Sequence, residues 1–488
     1  MKFAPLANLS LHRMVPLLAV LVLLVWSALF AATYRYSFYW DDLHLVRPYS
    51  SGELASVFHG RHDLDGIETN ALRPVTTLLF AFQAAVFDEN VVLHRVFMVL
   101  LMCGLLWAVG LLLLEGGLSR RHVSVIFLLF AASRVFTALL LWVTLGALIL
   151  CYILMVLSAL FYLRWIKTPG APHLLAWSLG FATLAIFTRE EAYTLPAVLP
   201  LVWWISSTRA GEWKRPAVGA LGVGLVLVVH LLLRRVFVPD APPVDSSLEN
   251  LRVYFWPALQ SAWMPGGREY VGTADRLIAV TWQVFLGALL GALACISGNR
   301  VRAQFLGLGV LGLIVCTPAL GVARSFGVTL PALAFLTAIA TAIVSAYERA
   351  SDGASANAEP ALRPHGADPA LRGRAWRGVI AGILLLGLTI GVGGGVRRSF
   401  YVAEAMHENS VTRVLRDGRF VFDGYPVRLT IPAKRREAKL ARLATFGIRS
   451  REDLERLESL LANDTSPYRQ NRAAKSPLFL EKYDYLSF

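Results

Sequence analysis

The sequence predicts an all-α polytopic membrane protein, a bundle of eleven transmembrane helices with a small segment after them. Three observations carry this. Of 488 residues, 56% are hydrophobic and only 16% charged, against about 25% charged in ordinary soluble domains. The mean hydropathy is +0.55. Apolar runs of spanning length recur along the chain, with Lys and Arg gathered in alternate loops. An apolar excess of this size cannot be hidden behind polar surface in water. It excludes a disordered chain, a soluble nucleic-acid-binding domain and an ordinary cytosolic enzyme. The net charge of +14 therefore reads as loop anchoring and lipid phosphate, with no call for nucleic acid.

The first run, 14–34, follows Lys2, His12 and Arg13. It is longer than the usual h-region of about 7–15 residues in a cleaved signal peptide, so it reads as an uncleaved span with a cytoplasmic N-terminus. Further spans fall at 92–114, 123–141, 143–163, 174–187, 192–206, 217–237, 277–297, 305–323, 325–346 and 378–396. The pair around Arg189 is short and reads as broken or tilted. The segment 74–87 is apolar but too short to span; it reads as a helix lying in the membrane interface. The six inner segments then hold 16 Lys/Arg against six Asp/Glu, and the outer loops 35–91 and 238–276 hold 7 against 13. That is the expected positive-inside sorting.

Residues 1–396 form the transmembrane unit, with the first outer loop at 35–91. Residues 397–488 form an outer tail, read as small and helical, with an amphipathic stretch at 434–462 broken at Gly447. The loop 347–377 is rich in Ala, Pro and Gly and reads as flexible. Cys103, Cys151, Cys295 and Cys316 all lie in apolar runs without metal-ligand spacing and read as packing residues.

Three features carry candidate chemistry. The first is YWDDLHLVRPY at 39–49, which sets Asp41 and Asp42 at the outer membrane surface. Neighbouring carboxylates raise one another's proton affinity, and such a group can deprotonate a hydroxyl. The plainer reading is two acids that mark a water-facing loop. A third reading has Asp41, Asp42 and His44 hold a divalent metal, although Asp-Asp-x-His lacks further ligands. The second feature is arginine at the membrane: Arg134, Arg189, Arg234, Arg235 and Arg324. Such residues face a cavity or snorkel to the interface, and a guanidinium binds phosphate through two hydrogen bonds. The third is FTREEAYTLP at 187–196. Arg189, Glu190 and Glu191 make either a tight hairpin turn with an internal ion pair or a polar plug that holds sugar or phosphate.

In order and topological side, these motifs resemble those of the GT-C superfamily of membrane glycosyltransferases, above all the protein O-mannosyltransferases of the TPR-bearing type and the aminoarabinose transferases of glycosyltransferase family 39. The outer-loop Asp pair matches Asp41-Asp42. LRPVTTLLFAF at 72–82 is similar to a "YRPL..L.F" stretch, and HRVF at 94–97 to "H.vN", with Phe97 in place of Asn. TREEAYTLP at 188–196 resembles a "(S/T)-K-E-x-x-x-x-L-P" turn. ARSFGVTLPA at 323–332 resembles "ERYLYLPS", keeping Arg324 but with Ala323 in place of Glu. The usual "HPxxxE" is absent: Ser133, Arg134 and Ala138 occupy those places ahead of Trp142. The resemblance implies inverting transfer of a monosaccharide from a polyprenyl-phosphate donor to a protein, lipid or glycan hydroxyl, without a metal cofactor. It implies Asp41 as base with Asp42 beside it, and Arg324, Arg189, Glu190, Arg234, Arg73 and His94 around the donor phosphate and substrate. The short tail and the Ala/Arg-rich composition read as a bacterial inner-membrane protein, and the odd number of spans sets the active site and C-terminus on the periplasmic side. A lipid-linked sugar flippase and a non-catalytic membrane scaffold are the alternatives.

Overall fold

The computed structural model describes residues 42–62, 71–88, 90–132, 139–140, 142–206 and 213–239, scattered positions between 308 and 344, and a hairpin at 419–428. Its helices are α1 Asp42–Leu45, α2 Ser51–Ser56, α3 Pro74–Phe87, α4 Val91–Glu115, α5 Arg120–Ala132, α6 Gly146–Lys167, α7 Pro172–Ile186, α8 Leu195–Ser206 and α9 Lys214–Phe237. Short 3-10 turns at Val143–Leu145 and Glu190–Thr194 lead into α6 and α8.

Among the described residues three segments are long and apolar enough to cross a membrane: Val91–Glu115, Val143–Lys167 and Lys214–Phe237. These match the expected spans 92–114, 143–163 and 217–237. The segment 74–87 is a helix over that same range. At about 21 Å it falls short of a hydrocarbon core of about 30 Å. One face carries the buried Thr76, Thr77, Phe80, Gln83 and Ala84; the exposed Leu78, Phe82 and Val86 recur every four residues on the other. Such a stripe suits a lipid neighbour. The expected spans at 174–187 and 192–206 are α7 and α8, both shorter than a bilayer crossing, with the turn at Arg189 between them. The break that the charges imply is therefore present.

The centre of the fold is α6. It is apolar all round and buried on almost every side, as a core helix must be. It packs most extensively on α7 and α4. Against α7, Ser158 and Ser178 each donate a hydroxyl hydrogen bond to the other's carbonyl, at 3.0 and 2.9 Å. Small polar residues of this kind let helices approach closely without leaving a polar group bare. Positions in the expected spans at 305–323 and 325–346 are helical where described, and Leu336 and Ala340 join the main core. The outer surface of α9 is apolar and exposed, as at Leu221 (72%) and Val236 (70%). A continuous apolar face fits lipid better than water.

Close approach of α9 to α6 depends on Gly219. A Cβ there would sit 2.6 Å from the Tyr162 ring, while Tyr162 Oη donates to Pro216 O at 2.8 Å. Gly219→Val is expected to cost about 1–3 kcal/mol through overpacking. A lower midpoint in thermal unfolding in detergent checks this; an unchanged midpoint contradicts it.

The tail contains two short strands that the helical reading did not include, ahead of the stretch 434–462, which lies outside the described residues. Arg419–Phe422 and Tyr425–Arg428 form an antiparallel hairpin with Phe420 opposite Val427. The sequence accounts for the strands: Asp423-Gly424 is a dipeptide that favours hairpins, flanked by aromatic and β-branched residues. The remaining tail, the loop 347–377 and the expected spans 14–34, 277–297 and 378–396 lie outside the described residues.

Candidate functional site

The site is built where α1, the start of α3, the start of α6 and the α7–α8 turn meet. Asp42 opens α1 and is buried. Its Oδ1 accepts from the Thr144 backbone N–H at 2.7 Å and its Oδ2 from the Val143 N–H at 3.3 Å. Those amides head the 3-10 turn that leads into α6, where no intrahelical acceptor exists. Asp42 is therefore a long-range cap. It ties the outer loop to the central helix, and a carboxylate is favoured at such a positive helix start. Leu45, Val46, Phe80, Val143 and Ala147 close around the junction as a small apolar cluster.

After α1 the outer loop is held by its own contacts. Arg47 stacks on Tyr49 and pairs with Glu53 at 2.7 Å, and Ser50 and Glu53 form a capping box on α2. Hydrogen bonding from Arg47 holds the Glu53 carboxyl down at about 2.

Arg73 sits just before α3, with Pro74 at the first helical position, where a missing N–H costs nothing. Its Nε reaches both carboxylate oxygens of Glu190, at 3.2 and 2.9 Å, and Nη2 pairs with Oε2. Beside this fork, Thr76 Oγ1 donates to Thr188 O at 2.7 Å and the Val75 N–H to Phe187 O at 3.4 Å. The first turn of α3 is thus fastened to the α7–α8 turn. Within that turn Arg189, itself buried, pairs with Glu191 through two bonds of 3.1 Å. The internal ion pair of the hairpin reading exists, and Glu190 adds a second pair across the fold. Neighbouring charge outweighs burial for Arg189 and pushes its pKa further up.

Burial opposes ionisation of Glu190, but the Arg73 charge and its hydrogen bonds, with Arg189, outweigh it and hold the carboxyl at about 2. A folded value below the usual 4.5 means the stabilisation is fully present above pH 4.5 and is lost as pH falls from 4.5 towards 2. Wild-type protein is expected to lose thermal stability through this window more steeply than Glu190→Gln. Parallel curves would contradict that.

Arg234 lies near the end of α9 and is half-buried. No carboxylate pairs with it among the described residues, and its charge reaches Tyr193 and His230. Tyr193 Oη and His230 Nε2 are 2.9 Å apart, and Phe187 stands edge-on to the imidazole at 4.7 Å between centroids. His230 Nδ1 is buried and has no hydrogen-bond partner among the described residues. Tyr193 and His230 escaped sequence reading. The signal for His230 was present, because an ionisable residue inside a span is a site candidate by default.

Sequence reasoning thus named Arg73, Arg189, Glu190 and Arg234, and the fold brings them together. His94 lies elsewhere. Its Nδ1 faces Gln83 Oε1 at 3.2 Å and its Nε2 faces Asp88 O at 2.9 Å. It braces the turn between α3 and α4, where Asp88 holds a φ of 48°. Asp41 and Arg324 lie outside the described residues, as does the side chain of His44. Among the described residues no three His, Cys, Asp or Glu side chains converge as metal ligands. Both oxygens of Asp42 face amide hydrogens, which suits a cap better than a cation ligand.

The acid-bearing loop and the arginines share one end of α6. Thr144 meets Asp42, and Cys151, seven residues on, lies against Arg189 O at 4.0 Å. That separates the two along the helix by roughly 10 Å. At this end the guanidinium groups of Arg73, Arg189 and Arg234 stand with the carboxylates of Asp42, Glu190 and Glu191; Asp42 is held by backbone amides, Arg73 and Arg189 by the two glutamates, and Arg234 has no carboxylate pair among the described residues.

Two solved structures resemble the chain. Both are crystal structures of ArnT from Cupriavidus metallidurans, one bound to undecaprenyl phosphate and one in the apo state. Sequence identity is 16% to each, with TM-scores of 0.43 and 0.44. The matches cover 80% and 82% of this chain, and 76% and 78% of those chains. No protein-family model and no curated protein matches the sequence.

Proposed function

We propose that the protein transfers a monosaccharide from a polyprenyl-phosphate donor to a hydroxyl acceptor on a protein, lipid or envelope glycan, at the outer face of a bacterial inner membrane. The observation that supports this reading is a convergence: a capped acidic loop and an arginine cluster, with Arg234 unopposed by a carboxylate among the described residues, at the same end of one central helix. Two of the sequence motifs that resemble those of GT-C transferases, LRPVTTLLFAF at 72–82 and TREEAYTLP at 188–196, lie on these elements.

In the proposed reaction Asp41 takes the proton of the acceptor hydroxyl. The acceptor oxygen forms a bond to the anomeric carbon as the bond from that carbon to the phosphate oxygen breaks. The electron pair leaves with the phosphate, so the products are the glycosylated acceptor and polyprenyl phosphate. General-base help of this kind contributes about 10²–10⁴-fold. Arg234, unopposed by a carboxylate among the described residues, supplies charge for the departing phosphate, with Arg73 and Arg189 behind it. Arg324 belongs to the same proposal on its motif.

The test is donor chemistry in reconstituted vesicles. Purified protein is given a polyprenyl-phosphate sugar labelled in both lipid and sugar, with an envelope extract. The proposal expects the labels to part, with sugar on an acceptor and lipid phosphate left behind. Intact donor moved across the bilayer would identify a flippase, and intact donor left in place a scaffold. Either outcome overturns the proposal.

A further inference from the structure

The end of the bundle opposite the arginine–glutamate cluster has its own construction, unused by the proposed reaction. There the C-terminal ends of α4, α6 and α8 meet the N-terminal ends of α5, α7 and α9. Contacts show the ends to be joined. Glu115 at the end of α4 pairs with Arg164 at 3.3 Å and Lys167 at 3.0 Å, both in the last turn of α6. Arg215 at the start of α9 donates to Ile166 O and Thr168 O, at 3.4 and 3.2 Å. Trp203 of α8 meets Trp213, just before α9, edge to face at 4.5 Å.

Charge here is strongly one-sided. Arg120, Arg121, Arg164, Lys167, Lys214 and Arg215 stand at this end, and Glu115 is the one carboxylate facing them among the described residues. Lys167 and Lys214 are exposed, and Arg215 is half-buried. The Arg215 guanidinium lies 4.8 Å over the Trp165 ring. Its carbonyl partners and the indole hold it in place before any ligand arrives. The exposed Trp213, just before α9, marks the depth, because an exposed tryptophan favours the headgroup level of a bilayer. The cations therefore stand where lipid phosphates stand, beside the apolar surface of α9.

We propose that this collar seats an anionic phospholipid headgroup, with Arg215, Lys214 and Lys167 as its phosphate contacts. The positive-inside tendency accounts for basic loops in general. It does not account for a guanidinium fixed between an indole ring and the last carbonyls of the neighbouring helix. A fixed cation recognises a ligand with less ordering cost than a mobile one. An acidic protein partner would also be drawn to the charge, but a collar at tryptophan depth faces lipid first. This inference is independent of the transfer reaction.

The test uses the full chain in phosphatidylcholine nanodiscs, with and without phosphatidylglycerol. Phosphatidylglycerol is expected to raise the unfolding midpoint by a few degrees and to stay bound in native mass spectrometry. High salt should weaken both effects. The triple variant Lys167→Gln, Lys214→Gln, Arg215→Gln should bind about a hundred-fold more weakly, since each basic residue near an anionic lipid surface contributes roughly five-fold. Lys167→Arg with Lys214→Arg should keep binding, which separates charge from folding. Arg235→Gln, at the opposite end, should leave it unchanged. Equal phosphatidylglycerol binding by the triple variant would overturn the proposal. So would displacement of the lipid by a soluble polyglutamate at equal charge.

Discussion

Asp42→Ala is expected to lower transfer and stability together, whereas Asp42→Asn leaves most of both. In the wild type the carboxylate satisfies the Val143 and Thr144 amides at the buried start of the central helix. Alanine leaves two buried N–H groups without that acceptor, at about 2–4 kcal/mol in sum. The loop that carries the preceding acid also loses its anchor. A displacement of about 1 Å at a reacting group costs about a hundred-fold in rate. Asparagine is as good a helix cap as aspartate, and its oxygen can keep the 2.7 Å bond to Thr144. Thermal unfolding and transfer rate, measured on both variants, separate the roles. If Asp42 were itself the base, Asp42→Asn would lose about 10²–10⁴-fold in rate at nearly unchanged stability.

Arg73→Ala carries the second large effect. It leaves the Glu190 carboxylate among buried groups without the guanidinium that holds it. Removing one partner of a buried pair costs about 3–5 kcal/mol, and partial exposure of Glu190 lowers that to about 2–4 kcal/mol. Adding Glu190→Gln should return most of the loss, because no bare charge then remains. Glu190→Gln alone should behave differently. It releases Arg73 for an incoming phosphate, so binding of polyprenyl phosphate is expected to tighten several-fold. Unfolding midpoints of the three variants and a lipid-phosphate titration check both halves. Additive losses in the double variant would contradict the pairing.

These effects show what was legible in the sequence and what was not. The span at 217–237 and the helix at 74–87 follow from apolar run length and from Pro74, so local pattern was enough. The break at Arg189 follows from three charges inside an apolar stretch. The partners of those charges were hidden. Arg73 and Glu190 lie 117 positions apart, and Asp42 meets an amide 102 positions away. No local periodicity reports contacts at that separation. The same limit explains why the capping role of Asp42 could not be read from the sequence. The hairpin at 419–428 was different. Its Asp-Gly signal is local, but it lies in a tail whose charge and amphipathic stretch favour a helical reading.

In the proposed reaction Asp41, as general base, activates the acceptor that displaces polyprenyl phosphate from the sugar. The most direct measurement is release of polyprenyl phosphate from a labelled donor by wild type and Asp41→Asn, at matched donor binding and matched unfolding midpoint. Release by the wild type is expected, with a loss of about a hundred-fold or more in the variant. Equal release by both proteins would contradict it.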